Sequence, residues 1–345
     1  MKHQVVRGRI GVEDRRPAPD ATGDRFPGYS EASDRQRLCD RPIVSIIVAS
    51  YNHEQVLGEC IHSLAAQKAG FPFEILIAED CSTDRTREAA LALQRQYPEL
   101  VRVIWTPQNK GATLNTIFAT SLCRGEFIGS CDGDDFWIDE GKLARQVAAM
   151  RAHPEVDLCF TTGYRLFPDG SRVHHWSYGP EERIIKAREL FATLGWMAPT
   201  ASLLFRAEVL RRLPPWFAEA PFGDFTIVLA GSVRGGAYYD PRPTICYRTA
   251  HPTSFTVQLD SASRKDRIKF FENGIRVLRL ACRYYRFPVR RMRHRIDDYR
   301  LSLAKLQARE GRHLTAMSNL VRIHPRVFVR GVLRRLGRPI GPHQA

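Results

Sequence analysis

The sequence predicts an α/β fold: an open, mostly parallel sheet flanked by helices, followed by a basic helical C-terminal extension. Three observations predict it. Between residues 43 and 130, short apolar runs of the fully buried kind alternate with stretches of helical periodicity. Polar and acidic residues gather just after those runs, where ligands bind in sheets of this type. The charge is also divided: residues 261–345 hold 22 Lys/Arg against 5 Asp/Glu, a net of +17, while the other 260 residues hold 30 against 32, a net of −2. The basic character therefore belongs to the tail and to what it touches, and says nothing of the chemistry of the main body.

Residues 1–41, rich in Arg, Asp, Pro and Gly without sustained periodicity, are expected to be disordered. Ile43 to Ala49 reads as the first strand, and Val56, Leu57, Cys60, Ile61 and Leu64 recur at helical spacing behind it. Phe73 to Ala78 is the second strand. Asp84 to Tyr97 is a helix with Asp84 as its N-cap. Val101 to Trp105, Gly111 to Leu122 and Glu126 to Ser130 continue as strand, helix, strand. Beyond residue 150 the pattern loosens. Strands are expected at Val156–Thr161, Ala201–Phe205, Ala237–Tyr239 and Thr244–Tyr247, with short helices up to Leu213 and from Phe225 to Ala230. From about residue 263 the chain reads as long, Arg-rich helices, so the domain boundaries fall near 42 and 260.

The chemistry concentrates at Cys131-Asp132-Gly133-Asp134-Asp135, where a buried-type strand ends in a turn with three carboxylates in four residues. Such charges repel unless a cation or a network of donors shares the site. Asp-x-Asp after a strand suits a divalent ion, Mn²⁺ or Mg²⁺, which takes one or two carboxylates and completes its shell with phosphate oxygens. Three other strand ends offer polar groups on the same rim: Ser50-Tyr51-Asn52, Glu79-Asp80 and Asn109-Lys110-Gly111. Eight scattered cysteines contain no Cys-x-x-Cys pair, which argues against a zinc site and for reduced thiols. The N-terminus has no apolar h-region and no 18 consecutive residues are apolar, so a cytoplasmic protein is expected.

Taken together, Val44 to Asn52, Glu79 to Asp84, Asn109 to Gly111, Asp132 to Asp135, Gly223-Asp224 and Tyr247 to His251 resemble the family-2 glycosyltransferases of the nucleotide-diphospho-sugar transferase (GT-A, Rossmann-like) fold, over roughly residues 43–255. The resemblance implies a nucleotide-sugar donor such as a UDP-sugar, a divalent metal, and transfer with inversion. It places Ser50, Tyr51 and Asn52 near the nucleotide and Asp80 at the base. Asn109, Lys110 and Gly111 fall on the donor, and Asp132 at the ribose or metal with Gly133 beside it. Asp134 holds the metal, Asp224 is the catalytic base, and His251 lies near metal and diphosphate. The chain lacks the Gln-x-x-Arg-Trp motif and the transmembrane helices of the processive synthases. That favours addition of single sugars to a glycan or lipid-linked acceptor, in cell-surface polysaccharide assembly.

Each residue also has a plainer reading. Asp224 would serve as the N-cap of a helix; if it is the base, the helix dipole favours its ionised form and lowers its basicity. Asp135 is read as a supporting or helix-starting residue, and Asp80 as a turn cap in place of a base contact. Trp196 and Thr200 to Ser202 line an acceptor pocket or simply belong to the core. In the tail, Arg322, Arg326, Arg330 and Arg334 recur at i, i+4, opposite Val321, Phe328, Val329, Val332 and Leu336. That is the pattern of a helix on an anionic membrane surface, placing the protein at the inner face of the plasma membrane, or of one docked on its own domain. No nucleic-acid motif accompanies the arginines, so no nucleic-acid partner is expected. A catalytically silent sugar-nucleotide or glycan-binding module would need the acidic turn but not Asp224. A nucleotidyltransferase would place a Gly-rich basic loop where Ser50-Tyr51-Asn52-His53 stands.

Overall fold

The structure, a computed structural model, describes residues 12–15, 28–192, 197–249 and 254–323. The first half comprises β1 (Val12–Arg15), β2 (Tyr29–Ala32), β3 (Val44–Ser50), α1 (Leu57–Ala65), β4 (Phe73–Glu79), α2 (Thr86–Gln96), β5 (Val101–Trp105), α3 (Ala112–Leu122) and β6 (Phe127–Asp132). The apolar runs become the central parallel strands, because a strand covered on both faces must be apolar throughout; every residue of β4 is buried. They lie in the order β5-β4-β3-β6. Val48 sits opposite Ile77 on one side and Cys131 on the other. The chain thus leaves β3 towards β4 and β5, then crosses back over α3 to add β6 on the other side. This reversal opens a crevice at the carboxyl ends of β3 and β6, where such sheets bind ligands.

The second half contains β7 (Phe136–Trp137), α4 (Lys142–Ala152), β8 (Leu158–Leu166), β9 (Arg172–His175), β10 (Arg183–Ile185), α5 (Ala187–Leu190), β11 (Leu204–Arg206), α6 (Ala207–Arg211), α7 (Asp224–Ser232) and β12 (Ala237–Arg248). β11 is antiparallel to both β6 and β8, so it links the parallel core to the parallel pair β8-β12. The far end of β12 turns back to pair with β7, Cys246 opposite Phe136. That pairing carries the end of β12 over the acidic turn.

Helices cover both faces. Leu57, Ile61, Leu64, Leu93, Leu143 and Met150 build the core on one side. The C-terminal helices α8 (Phe255–Ser261), α9 (Arg264–Tyr284), α10 (Val289–Ala308) and α11 (His313–Val321) follow, and on the other face Phe118, Leu190, Leu210 and Leu229 pack with residues from α9 and α10. Leu278 and Ala281 of α9, with Met292, Ile296 and Leu303 of α10, belong to that same core. The basic extension is therefore built into the main body by its apolar stripe. Among the described residues no helix is long and apolar enough to cross a membrane, and Arg326, Arg330 and Arg334 lie outside the described residues.

Several expectations need correction. Residues 12–15 and 29–32, expected to be disordered, are strands: β1 pairs with β2, and β2 with β5. Glu31 anchors β2, accepting from Arg102 Nε at 2.9 Å, while Arg102 also reaches Glu74 at 3.1 Å. Burial opposes ionisation of Glu74, but the Arg102 charge and the Arg124 hydrogen bond hold its pKa below the usual carboxylate value. The strand expected at Ala201 begins only at Leu204, after a 3-10 turn over Thr200–Ser202. The two strands expected around residues 237–247 are one, β12, whose pairing with β8 shifts register near Pro243. Asp84 lies two residues before α2 and accepts from Thr86 N at 2.9 Å, ahead of the cap position.

Candidate active site

The carboxyl ends of β3, β4, β5 and β6 carry most of the residues singled out in the sequence. Ser50 ends β3, and the turn after it bends through Asn52 at φ 57°, a left-handed conformation that Asn tolerates. Asn52 Oδ1 accepts from Thr83 N at 2.8 Å, and Asn52 N donates to Ser82 Oγ at 3.0 Å. Its side chain therefore ties the loop after β3 to the loop after β4. Tyr51 is half-buried beside it. His53, which the sequence reading passed over, is buried, with Nδ1 3.5 Å from Ser50 Oγ and its backbone N donating to Thr86 Oγ1 at 2.7 Å.

Gly133 allows the acidic turn to lie against this loop. Its N donates to Ala49 O at 2.9 Å. A Cβ at this position would fall 2.6 Å from His53 Nδ1 and 3.1 Å from Ser50 Oγ, so only glycine fits. Asp132 remains partly open to the crevice. Its pKa is pushed up to about 7, by burial first and then by the charges of Asp134 and Asp224. Asp134 and Asp135 are buried. Burial raises Asp135 as well, with the Asp134 and Asp132 charges adding to it.

Arg248, at the end of β12, holds the turn from outside and was not singled out in the sequence. Its N donates to Asp135 Oδ1 at 2.9 Å, Nε to the Asp134 carbonyl at 3.0 Å, and Nη2 to Glu59 at 2.6 Å. Its place within the Tyr247–His251 segment was the available signal. Among the described residues, Asp135 Oδ2 is buried with no hydrogen-bond partner. An orphaned carboxylate oxygen beside two more carboxylates is a set short of positive charge, and fits a divalent ion. Among the described residues no group of three or more His, Cys, Asp or Glu side chains is arranged to hold a metal ion by itself. An ion here would need further ligands from outside this set, such as phosphate oxygens. His251 lies outside the described residues.

Asp80 is buried at the end of β4 and serves the neighbouring loop. Its carboxylate accepts from Lys110 N at 2.7 Å and Gly111 N at 2.8 Å, and its carbonyl from Asn109 Nδ2 at 2.8 Å. Gly111, at φ 79°, then opens α3. Asn109, Lys110 and Gly111 are thus held on the rim through Asp80. Ala201 and Ser202 are core residues: their carbonyls accept from Trp137 Nε1 and Gln146 Nε2, each at 2.8 Å. Trp196 lies outside the described residues.

Asp224 is the first residue of α7, after Gly223 at the cap position, and its Oδ1 accepts from Phe225 N at 2.7 Å. The dipole was expected to lower its basicity. The balance runs the other way: burial raises its pKa, against the Phe225 N–H and the Arg295 charge. A carboxylate at a helix start, within reach of the Asp132 charge and raised in basicity, is suited to accept a proton.

Residues 45–212 match the family model described as Glycosyl transferase family 2. An uncharacterized protein of Mycobacterium tuberculosis is 38% identical over 129 residues, 37% of this chain and 37% of that protein. TuaG of Bacillus subtilis, named for teichuronic acid biosynthesis, is 32% identical over 143 residues, 41% of this chain and 54% of that protein. These matches span only about a third to a half of the curated relatives' length. Among solved structures, Staphylococcus aureus TarS 1–349 in complex with UDP-GlcNAc aligns with a TM-score of 0.55 at 16% identity, over 86% of this chain and 93% of that one. The mannosyltransferase PcManGT from Pyrobaculum calidifontis, in complex with GDP-Man and Mn²⁺, aligns at 0.51 and 17% identity, over 81% and 74%. At such identities the likeness establishes the fold. Sequence and architecture agree: residues 45–212 match glycosyl transferase family 2, and the fold is similar to that of GT-A glycosyltransferases.

Proposed function

We propose that the chain is a metal-dependent, inverting glycosyltransferase that moves a sugar from a nucleotide-diphospho-sugar, of the UDP kind, to a hydroxyl of a glycan or lipid-linked acceptor. The observation that carries this reading is that Asp132, at the switch point of the sheet, lies close enough to both Asp134 and Asp224 to feel their charges. Asp134 and Asp132 would hold the divalent ion, with Asp135 and Arg248 fixing the turn. When bound, the ion neutralises the charge that grows on the departing nucleoside diphosphate. Ser50, Tyr51, Asn52, Asp80, Gly133 and the Asn109–Gly111 loop frame the donor. Asp224 takes the proton of the acceptor hydroxyl as its oxygen attacks the anomeric carbon. The bond to the diphosphate oxygen breaks on the opposite face, so the configuration inverts without a covalent intermediate.

The two structural relatives were captured with different nucleotide sugars, UDP-GlcNAc and GDP-Man, and one with Mn²⁺. That supports the donor class and the metal. TuaG, named for teichuronic acid, supports cell-surface polysaccharide assembly. A membrane-bound acceptor suits the C-terminal part: α11 exposes Leu314, Met317 and Val321, beside a sequence rich in arginine. Weaker sedimentation of L314E/M317E with phosphatidylglycerol vesicles would support that placement, and unchanged sedimentation would refute it.

Turnover of a panel of nucleotide sugars, with the product's anomeric configuration read by NMR, tests the reaction. Inverted product, absent in Asp224→Asn, is the expected result. Retained configuration, or full turnover in Asp224→Asn, would refute the mechanism.

A further inference from the structure

The stretch matched by the family model ends at residue 212, before Asp224 and before the C-terminal helices. Those helices nevertheless enclose the Asp224 turn. On one side of Asp224, the Phe222 ring meets Tyr299 of α10 edge-on at 5.4 Å and Phe270 of α9 at 5.8 Å. On the other side, the Phe225 ring lies under the Arg295 guanidinium at 5.2 Å and meets Phe191 at 4.9 Å. Gly274 of α9 makes the close fit possible. A Cβ there would stand 2.9 Å from both Phe222 Cε1 and Tyr299 Cε2. Both residues flanking the Gly223-Asp224 pair are thus gripped by groups from α9 and α10, about fifty to seventy-five residues further along the chain.

We propose that α10 completes the catalytic turn, with Arg295, seated on the Phe225 ring, as the positioning residue for Asp224. The proposal rests on the reading of Asp224 as the base. The physical need is plain. The charges of Asp224 and Asp132 act on one another, and like charges repel. A cation near Asp224, fixed by stacking on the neighbouring Phe225 ring, offsets that repulsion and holds α7 at its first turn. The Arg295 charge acts on Asp224, and Tyr299 feels both of them, so the three lie within one electrostatic neighbourhood.

The test uses the full-length chain with saturating donor and acceptor, comparing Arg295→Met, Arg295→Lys, Gly274→Ala and Asp224→Asn. Thermal stabilisation by the donor nucleotide and metal is measured alongside turnover. Arg295→Met should lower kcat by about 10- to 100-fold while the donor KM and the nucleotide-induced shift stay within about 2-fold. Arg295→Lys, which keeps the charge, should recover a large part of that loss. Gly274→Ala, which pushes on Phe222 and Tyr299, should reproduce the loss of kcat with donor binding intact. Wild-type kcat in Arg295→Met beside an inactive Asp224→Asn would overturn this inference alone. So would equal loss of kcat and donor binding in the Met and Lys variants, the signature of a merely structural residue. Full turnover in Asp224→Asn would overturn the base assignment and this inference together.

Discussion

Substituting Gly133 by alanine puts the geometry of the acidic turn to a direct test. The added Cβ would stand 2.6 Å from His53 Nδ1, where ordinary contact begins at 3.4 Å, so something must move by 0.8 Å, the difference between the two. Ser50 Oγ at 3.1 Å and Ala49 O at 3.2 Å close the other directions. His53 cannot yield easily, since it is buried and its backbone is held by Thr86 Oγ1. Ala49 O is held in the sheet and accepts from Gly133 N itself. The side free to move is the acidic turn, which carries Asp132 and Asp134. A misplacement of about 1 Å costs on the order of 10²-fold in rate, and overpacking of this kind costs about 1–3 kcal/mol of stability. The assay is steady-state transfer with the best donor, with unfolding by urea in parallel. Adding His53→Ala removes the nearest contact and should return part of the loss, a coupling of about 0.5–3 kcal/mol between neighbours. Turnover of Gly133→Ala within about 2-fold of wild type would refute the close approach as the reason for glycine.

The remaining predictions concern the supports of the site. Arg248→Met removes the side-chain bonds to Asp134 O and Glu59 but leaves the backbone bond to Asp135; donor affinity should fall by about 10-fold, equal to ~1.4 kcal/mol, and an unchanged titration would contradict it. Lys142 is buried, donates to Gln146 at 2.7 Å and lies over the Trp137 ring, and burial lowers its pKa from 10.5 to about 7. Between those values the unfolded state binds more protons, so stability rises with pH across that window and the full penalty stands below about 7. Lys142→Met should therefore be favoured most below pH 7, an advantage shrinking by up to about 1.4 kcal/mol per pH unit above it, on top of a pH-independent loss of about 1–3 kcal/mol for the stranded Gln146. Urea unfolding at pH 6.5 and 9.5 reads it, and a difference that does not vary with pH would refute it. Glu31→Gln removes one of the two carboxylates paired with buried Arg102 and should cost about 1–3 kcal/mol in the same assay; no loss would mean β2 adds nothing to the fold.

The parallel centre of the sheet was legible because β3 to β6 are buried on both faces, and that burial demands uninterrupted apolar runs such as Ile75-Leu76-Ile77. The acidic turn stood out because three carboxylates in four residues at a strand end repel one another, more charge than folding alone has use for. Other features depend on contacts that sequence order hides. β2 is four residues long and is held by Glu31 reaching Arg102, 71 positions away. β12 looked like two strands because Pro241 and Pro243 interrupt the apolar pattern, whereas a register shift keeps it as one. The basicity of Asp224 was misjudged because the helix dipole is visible in a Gly-Asp sequence and burial is not. The Arg-rich helices showed their charge plainly, but nothing in their spacing announced that Arg295 and Tyr299 face the Asp224 turn.

Thermal stability against a panel of nucleoside diphosphates and nucleotide sugars, with and without Mn²⁺, tests the central claim most directly. Ligands that bind the native state raise the melting temperature by mass action, about 2.7 kcal/mol at a hundredfold excess over Kd. The account predicts a metal-dependent shift with one nucleotide, lost in Asp134→Ala and kept in Asp224→Asn, because the first holds the metal and diphosphate and the second acts only on the acceptor. A shift that survives Asp134→Ala, or none with any nucleotide in a folded, metal-loaded sample, would contradict it.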